Sequence, residues 1–279
     1  IACDIESTLY LPRIEELGVM PSMRYASGPE ILEHCRRMGR HFDLYRRALF
    51  QTRITALRWL EEDRRWLVET DRGDRIHARF VSMSTGPLNQ AKLPGVPGLG
   101  DFAGHAFHTS RWDYDYTGGD AAGGLEKLAG KRVGIIGTGA TAIQCVPHLG
   151  RWAGHLSVFQ RTPSTIQPRG NRPLDPDWAR GLPPGWQARR VRDFTALLGG
   201  APVADVFDDG WTRAFKELFD LGDAAREEAA ERIERNDFAV MERIRAGIAA
   251  AVRDPAAAEA LKPWYGLLCK RMGFSDEYL

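Results

Sequence analysis

The sequence predicts an α/β chain organised around a parallel strand–helix–strand unit and followed by a largely helical stretch. Arg132-Val133-Gly134-Ile135-Ile136 has the apolar run of a buried strand, Ala142, Val146 and Leu149 then share one helical face, and Leu156 to Gln160 reads as a second buried strand. Between the first strand and the helix stands Gly137-Thr138-Gly139-Ala140-Thr141-Ala142, a G-x-G-x-x-A turn. Further on, Trp211, Phe215 and Leu218, then Met241, Ile244, Ile248 and Val252, step by three and four, so residues 186 to 262 should be mainly helical.

The other elements follow in chain order. Ser27, with Glu30 three residues later, resembles a capping box, and Ile31, Cys35, Met38 and Phe42 recur at helical spacing, which predicts an amphipathic helix over 28 to 43. From Gln51 to Gly86 short alternating runs, punctuated by Asp71-Arg72-Gly73-Asp74, predict a strand meander with a tight turn. Pro87, Pro94 and Pro97, with glycines at 95, 98 and 100, break regular structure and place a domain boundary near residue 100. A second loop, Gly118 to Gly124, precedes the parallel unit, and the prolines between 165 and 185 predict an irregular stretch. Asp254-Pro255 has the form of a cap followed by a first-turn proline and opens a short helix.

Composition narrows the function classes. The 279 residues carry 38 Lys and Arg against 37 Asp and Glu, a net charge of +1, so nothing in the charge balance favours nucleic acid or an anionic bilayer as a partner. The longest apolar-rich region, Ala246 to Val252, is far short of the roughly 20 residues of a spanning helix. Cys3, Cys35, Cys145 and Cys269 contain no C-x-x-C pair, and with no metal-ligand spacing in view we expect no metal site and a reducing, cytoplasmic setting. The first residues, Ile1-Ala2-Cys3-Asp4, include neither an initiating methionine nor a signal peptide, and the expectation is a fragment truncated at both ends.

The G-x-G-x-x-A turn is the sharpest chemical signal. Its two glycines let the backbone turn tightly against a pyrophosphate, Ala142 allows close helix packing, and the helix N-terminus supplies amide donors. An NAD site would want an acid at the end of the second strand, whereas this sequence reads Phe159-Gln160-Arg161-Thr162. Arg161 suits a 2′-phosphate, so the expected cofactor is NADPH rather than NADH.

Phe102-Ala103-Gly104-His105-Ala106-Phe107-His108-Thr109-Ser110-Arg111-Trp112-Asp113 resembles F-x-G-x-x-x-H-x-x-x-W-[P/D], the fingerprint of the Baeyer–Villiger monooxygenases, and lies just before the nucleotide turn as in that family. Cys3-Asp4-Ile5-Glu6-Ser7, Tyr25-Ala26-Ser27, Thr85-Gly86 after a buried strand, Val158 to Pro163 and Lys270-Arg271 agree with it as well. The resemblance implies a flavoprotein with two dinucleotide-binding domains. Residues 1 to 100 would be part of the FAD domain, and residues 101 to 279 a Rossmann-like NADPH domain with a helical insertion at about 170 to 262. It further implies that NADPH reduces FAD and that the flavin peroxide formed with O2 inserts one oxygen atom into a ketone, giving an ester or lactone.

Residue by residue, the resemblance makes Arg271 the active-site arginine and Asp4 the carboxylate that orients it. Without it, the two read as a surface basic residue and an exposed acid. Lys270 and Arg161 match the 2′-phosphate positions and Thr162 the adenosine ribose, while Cys3, Tyr10 and Ile54 fall where the family contacts FAD. Phe102, Gly104, His108, Thr109, Trp112 and Asp113 form the fingerprint, with His108 and Trp112 at an interdomain hinge that acts on catalysis from outside the site. The family's FAD fingerprint G-x-G-x-x-G is absent from this sequence, so the 279 residues alone are expected to bind FAD poorly and to be inactive. Two other classes stay open: a flavin-containing monooxygenase acting on nitrogen or sulfur, and a nonenzymatic NADPH-binding module. The segment 113 to 130 resembles members that accept larger ketones.

Overall fold

The computed structural model describes residues 2–86, 88, 90–201, 203–204, 207, 209–222 and 228–279. The chain divides into two compact units, Ile1–Met38 with Asp113–Leu279, and Gly39–Trp112. The functional boundary expected near residue 100 concerns which cofactor each part holds, and this division by compactness does not address it.

In the larger unit, α1 (Ser7–Tyr10), α2 (Ile14–Leu17) and the start of α3 (Gly28–His41) are followed by α4 (Tyr114–Thr117). Of the expected capping box, Ser27 Oγ lies 3.5 Å from the Glu30 N–H, while the Glu30 carboxylate instead accepts from the Ser22 N–H and hydroxyl at 2.6 and 2.9 Å. The expected apolar face of α3 is covered in part: Ile31 packs against a small core of Cys3, Leu11, Ile14, Tyr25 and Ala26, and Met38 is half-buried. Cys35 is exposed, whereas His34 beside it is buried, with its Nε2 2.6 Å from the Pro12 carbonyl. Periodicity identifies the helix and does not register the polar contact of His34.

The parallel unit forms where the sequence places it. β4 (Arg132–Ile136) pairs in parallel with β5 (His155–Phe159), from Arg132 opposite His155 to Ile136 opposite Phe159, and α5 (Ala140–Trp152) connects them. Neither strand is buried as expected: Ile135 alone in β4 is fully covered, and Ile136 and Phe159 are 60% and 59% exposed. An apolar run signals burial only when further strands and layers flank it, and this sheet has two strands. The stretch expected to be irregular contains β6 (Ile166–Gln167), which pairs in parallel with β7 (Gly273–Phe274). Two residues carry no readable period.

The helical stretch comprises α6 (Trp186–Leu198), α7 (Gly210–Leu218), α8 (Ala229–Ala251) and α9 (Pro255–Leu261). Asp254 caps α9 by accepting from the Ala256 N–H, with Pro255 in the first turn, as the sequence predicts. Ala214, Leu218, Val240, Met241, Ile244 and Ile248 form one core with Leu267, Met272 and Phe274. That core anchors the C-terminal segment on both sides of Lys270-Arg271.

The smaller unit is the meander. β1 (Ile54–Leu60), β2 (Arg65–Thr70) and β3 (Arg75–Ala78) form an antiparallel sheet in that order. Asp71–Asp74 makes the expected turn, with the Thr70 hydroxyl donating to Asp74 Oδ2 at 2.8 Å. The run through Val81 and the buried strand expected before Thr85 are corrected: β3 ends at Ala78, and Phe80 and Met83 are 85% and 74% exposed.

Candidate functional site

Two constellations in the larger unit carry predicted site residues. The first is the nucleotide turn between β4 and α5. Gly137 has φ +99°, a backbone conformation that glycine adopts without strain, and its N–H donates to the Phe159 carbonyl at 2.9 Å. A Cβ built at Gly137 or Gly139 would meet nothing within 4 Å, so open space lies over the turn. Gly139 is the N-cap of α5 and offers no side-chain acceptor, which leaves first-turn amides free for an anion. Ala142 is buried against the sheet, while Ala140 is half-buried and Thr141 exposed.

This turn is tied to the loop after β5. The Thr138 hydroxyl donates to the Thr162 carbonyl at 3.2 Å, and the Ser164 hydroxyl donates back to the Thr138 carbonyl. Arg161, immediately before Thr162, is exposed and has no ion pair or hydrogen bond among the described residues. On the C-terminal segment, Lys270 Nζ lies 5.3 Å from the centre of the Tyr265 ring, and the Tyr265 hydroxyl donates to the Pro163 carbonyl at 2.8 Å. The turn, the Arg161 loop and Lys270 therefore share one rim.

The second constellation is Asp4 with Arg271. Arg271 Nη2 lies 2.7 Å from Asp4 Oδ2 and 3.0 Å from Oδ1, between residues 267 positions apart in sequence. The aspartate side chain is 16% exposed and the arginine 54%, so the carboxylate is held inside and the guanidinium is presented outward. The Trp211 ring backs the guanidinium, with its centre 5.6 Å from Cζ. Met272 and Phe274 are buried in the helical core beside it, which fixes where Arg271 emerges.

The amino-acid sequence is 53% identical over 285 residues to the neopentalenolactone D synthase of Streptomyces avermitilis, covering all of this chain and 48% of that protein. It is 50% identical over 287 residues to Baeyer-Villiger monooxygenase 4 of Dietzia sp., covering all of this chain and 47% of that one. The polycyclic ketone monooxygenase of the thermophilic fungus Thermothelomyces thermophila matches the whole chain with a TM-score of 0.89 and 41% identity, over 48% of its own length. Over its whole length the chain is similar to Baeyer–Villiger monooxygenases. An oxidised steroid monooxygenase bound to NADP also matches, with a TM-score of 0.72 and 31% identity over 99% of this chain and 54% of its own. No family model matches. The chain spans about half the length of the curated relatives it matches.

The other predicted residues are divided between the two units. Cys3 is buried in a small core with Leu11, Ile14, Tyr25 and Ala26, and burial pushes its thiol up, against the pull of a hydrogen bond from Ser7. Only its backbone, tied to the Ala26 carbonyl at 3.0 Å, can help to place Asp4. Tyr10 at the end of α1 is 49% exposed, and Ile54 at the start of β1, in the smaller unit, is 54% exposed. Most of the fingerprint also belongs to the smaller unit. Phe102 lies over Gly104, where a Cβ would collide with its ring. His108 Nδ1 accepts from the Ser110 N–H at 3.1 Å and caps the single turn that begins at Thr109. Trp112 packs edge-on against Phe107 with ring centres 5.4 Å apart. Asp113 opens the larger unit and caps α4 by accepting from the Tyr116 N–H at 3.0 Å.

Sequence reasoning missed the residues that brace Asp4 and Arg271. Asp276 accepts from the N–H groups of Arg169 and Gly170 at 2.8 and 2.9 Å, holding the C-terminal segment against a turn. The Asn171 side chain brackets Tyr25, accepting from its N–H at 3.0 Å and donating to its carbonyl at 3.2 Å. Glu6 pairs with Arg190 of α6 at 2.7 Å and faces Arg24 at 3.9 Å, all three side chains nearly buried. Neither Cys3–Leu9 nor Trp186–Phe194 sets its buried acid or arginine apart from the other polar residues around it, so the sequence carried no local signal.

Proposed function

We propose that this chain carries the NADPH site and the active-site arginine of a Baeyer–Villiger monooxygenase, which converts a ketone into an ester or lactone with FAD, NADPH and O2. The carrying observation is Asp4 set 2.7 Å from Arg271 across 267 positions of sequence. In this reading residues 1 to 100 contribute to the FAD side and residues 101 to 279 form the NADPH domain.

The nucleotide rim fits NADPH: an open glycine turn, free amides at the start of α5, and two cations, Arg161 and Lys270, with no acidic partner among the described residues. Toward FAD the fit is partial, because Asp4-Arg271, Tyr10 and Ile54 are the candidate contacts and the sequence has no G-x-G-x-x-G. When bound, the two cofactors supply the reducing electrons and the oxygen activation.

The residues of this chain do the positioning. Asp4 engages Arg271 through Nη2, and Nη1 lies 3.5 Å from the Met272 carbonyl, which leaves the exposed, outward side of the fork to hold negative charge on the oxygen being transferred and on the tetrahedral adduct. A guanidinium already fixed by a carboxylate and an aromatic ring loses little freedom when it takes up that charge. Arg161 and Lys270 bind the 2′-phosphate, and the α5 amides the pyrophosphate. The names of the polycyclic ketone and steroid monooxygenases favour a bulky, ring-containing ketone as substrate.

The test gives a protein carrying this chain FAD, NADPH and air, and follows a ketone panel by mass spectrometry. Ester or lactone from bulky ketones, lost in Arg271→Ala, is the expected result. Oxygenation of amines or sulfides with no ester overturns it. Arg161→Ala should weaken NADPH binding by about tenfold or more while leaving NADH nearly unchanged, a split that equilibrium titration reads directly.

A further inference from the structure

We infer that Tyr265 is a positioning residue for nucleotide specificity: it supports Lys270 on its ring and, through its hydroxyl, fixes the loop that carries Arg161, so that both cations meet one phosphate. The inference rests on the NADPH reading above.

Arg161 and Lys270 are 109 positions apart, on different segments, and neither is held by an acid among the described residues. Two long cationic side chains without anchors would have to be immobilised by the ligand itself, at a cost in side-chain entropy for each. Tyr265 bonds with or packs against both segments. Its ring lies 5.3 Å from Lys270 Nζ, within the range of a cation–π contact, and its hydroxyl donates to the Pro163 carbonyl at 2.8 Å, two residues past Arg161. The same loop is bound on its other side to the nucleotide turn, through Thr138 to Thr162 and Ser164 to Thr138. The glycine turn that faces the pyrophosphate and the two cations that face the far phosphate are thus spaced by one bonded frame, in which Tyr265 joins the Arg161 loop to Lys270. Half-burial pushes the Tyr265 hydroxyl up, against hydrogen bonding from Thr165, so it remains a donor at neutral pH.

A merely structural role would predict that weakening Tyr265 lowers affinity for both nucleotides together. A positioning role predicts a change in their ratio, because NADH lacks the phosphate that the two cations share. Equilibrium titration of the 279-residue chain with NADPH and with NADH, in the wild type and in Tyr265→Phe, Tyr265→Leu, Lys270→Ala, Tyr265→Phe/Lys270→Ala and Tyr265→Leu/Lys270→Ala, separates the two. Tyr265→Phe keeps the ring and loses the tie to Pro163; it should reduce the NADPH preference by about fivefold, the size of one net hydrogen bond. Tyr265→Leu loses both contacts and should reduce it further, with NADH affinity unchanged in each. In the double variants the effect of Tyr265→Phe should persist, since it acts through Arg161, whereas Tyr265→Leu should add less over Lys270→Ala than over wild type. Parallel loss of both nucleotides, or an unchanged ratio in both Tyr265 variants, overturns the inference and leaves the NADPH reading standing. A wild type that does not prefer NADPH removes that reading and the inference with it.

Discussion

Asp4 and Glu6 lie two residues apart on one segment, and each reaches an arginine far along the chain, yet the two pairs are built for different work. Glu6 and Arg190 are 7% and 11% exposed, meeting at 2.7 Å, with the Thr8 hydroxyl donating to the same carboxylate and the Arg190 Nε donating to that hydroxyl at 3.0 Å. The Arg190 guanidinium lies between the Trp178 and Phe207 rings, 4.9 and 4.5 Å from their centres. Every face of that cation is occupied. Arg271, in contrast, is gripped by Asp4 on one side and backed by Trp211, with 54% of its side chain open. The same chemistry, sealed, locks the N-terminal segment to α6; left half open, it offers a fixed positive charge to a ligand.

The comparison breaks most visibly if the sealed pair is cut. Arg190→Ala leaves Glu6 buried without its closest cation, and should destabilise the chain by about 3–5 kcal/mol in urea unfolding. A loss below about 1 kcal/mol would mean that Glu6 relaxes to water as a surface acid does, and the distinction would collapse. Arg271→Ala is the complementary cut. It should cost under about 1 kcal/mol of stability, as an exposed pair does, while ketone oxygenation falls by about a hundredfold or more, the scale of a lost charge-stabilising donor. Comparable stability losses in the two variants would show that exposure does not separate their roles.

The sequence makes some of this legible and leaves the rest hidden, for physical reasons. The βαβ unit and its glycine turn could be read because strand runs, helical spacing and backbone permissiveness are local properties. So could the α9 cap, since Asp254-Pro255 acts within a few residues. Burial of β4 and β5 is not legible because an apolar run reports what a strand could cover, and among the described residues Ile136 and Phe159 have no further strand beside them. The Asp4–Arg271 pair was reached through family resemblance; no periodicity links positions 267 apart. Glu6, Arg24 and Arg190 stayed hidden because charged residues are expected at the surface, and only the fold shows them covering one another.

A smaller effect sharpens the picture from inside the sealed region. Asp209, 1% exposed, caps α7 by accepting from the Thr212 N–H at 2.7 Å through Oδ1, while Oδ2 has no hydrogen-bond partner. Burial pushes its carboxyl above the ordinary 3.8, with the Thr212 N–H and hydroxyl and the Arg24 charge pulling the other way and Glu6 adding to the rise. The folded chain therefore holds this proton more tightly than the unfolded chain. Its contribution to stability is full below 3.8 and is lost as pH rises through the higher folded value, opposite in sign to that of a carboxylate stabilised by a salt bridge. Asp209→Asn keeps the Oδ1 acceptor for the cap and removes the ionisation. Unfolding free energies measured from pH 4 upward should show the variant losing less stability than wild type across that interval. A wild-type curve that instead gains on the variant as pH rises would place a net favourable charge at Asp209. The buried cluster would then be held by attraction to Arg24, and exposure alone would no longer distinguish it from the Asp4–Arg271 pair.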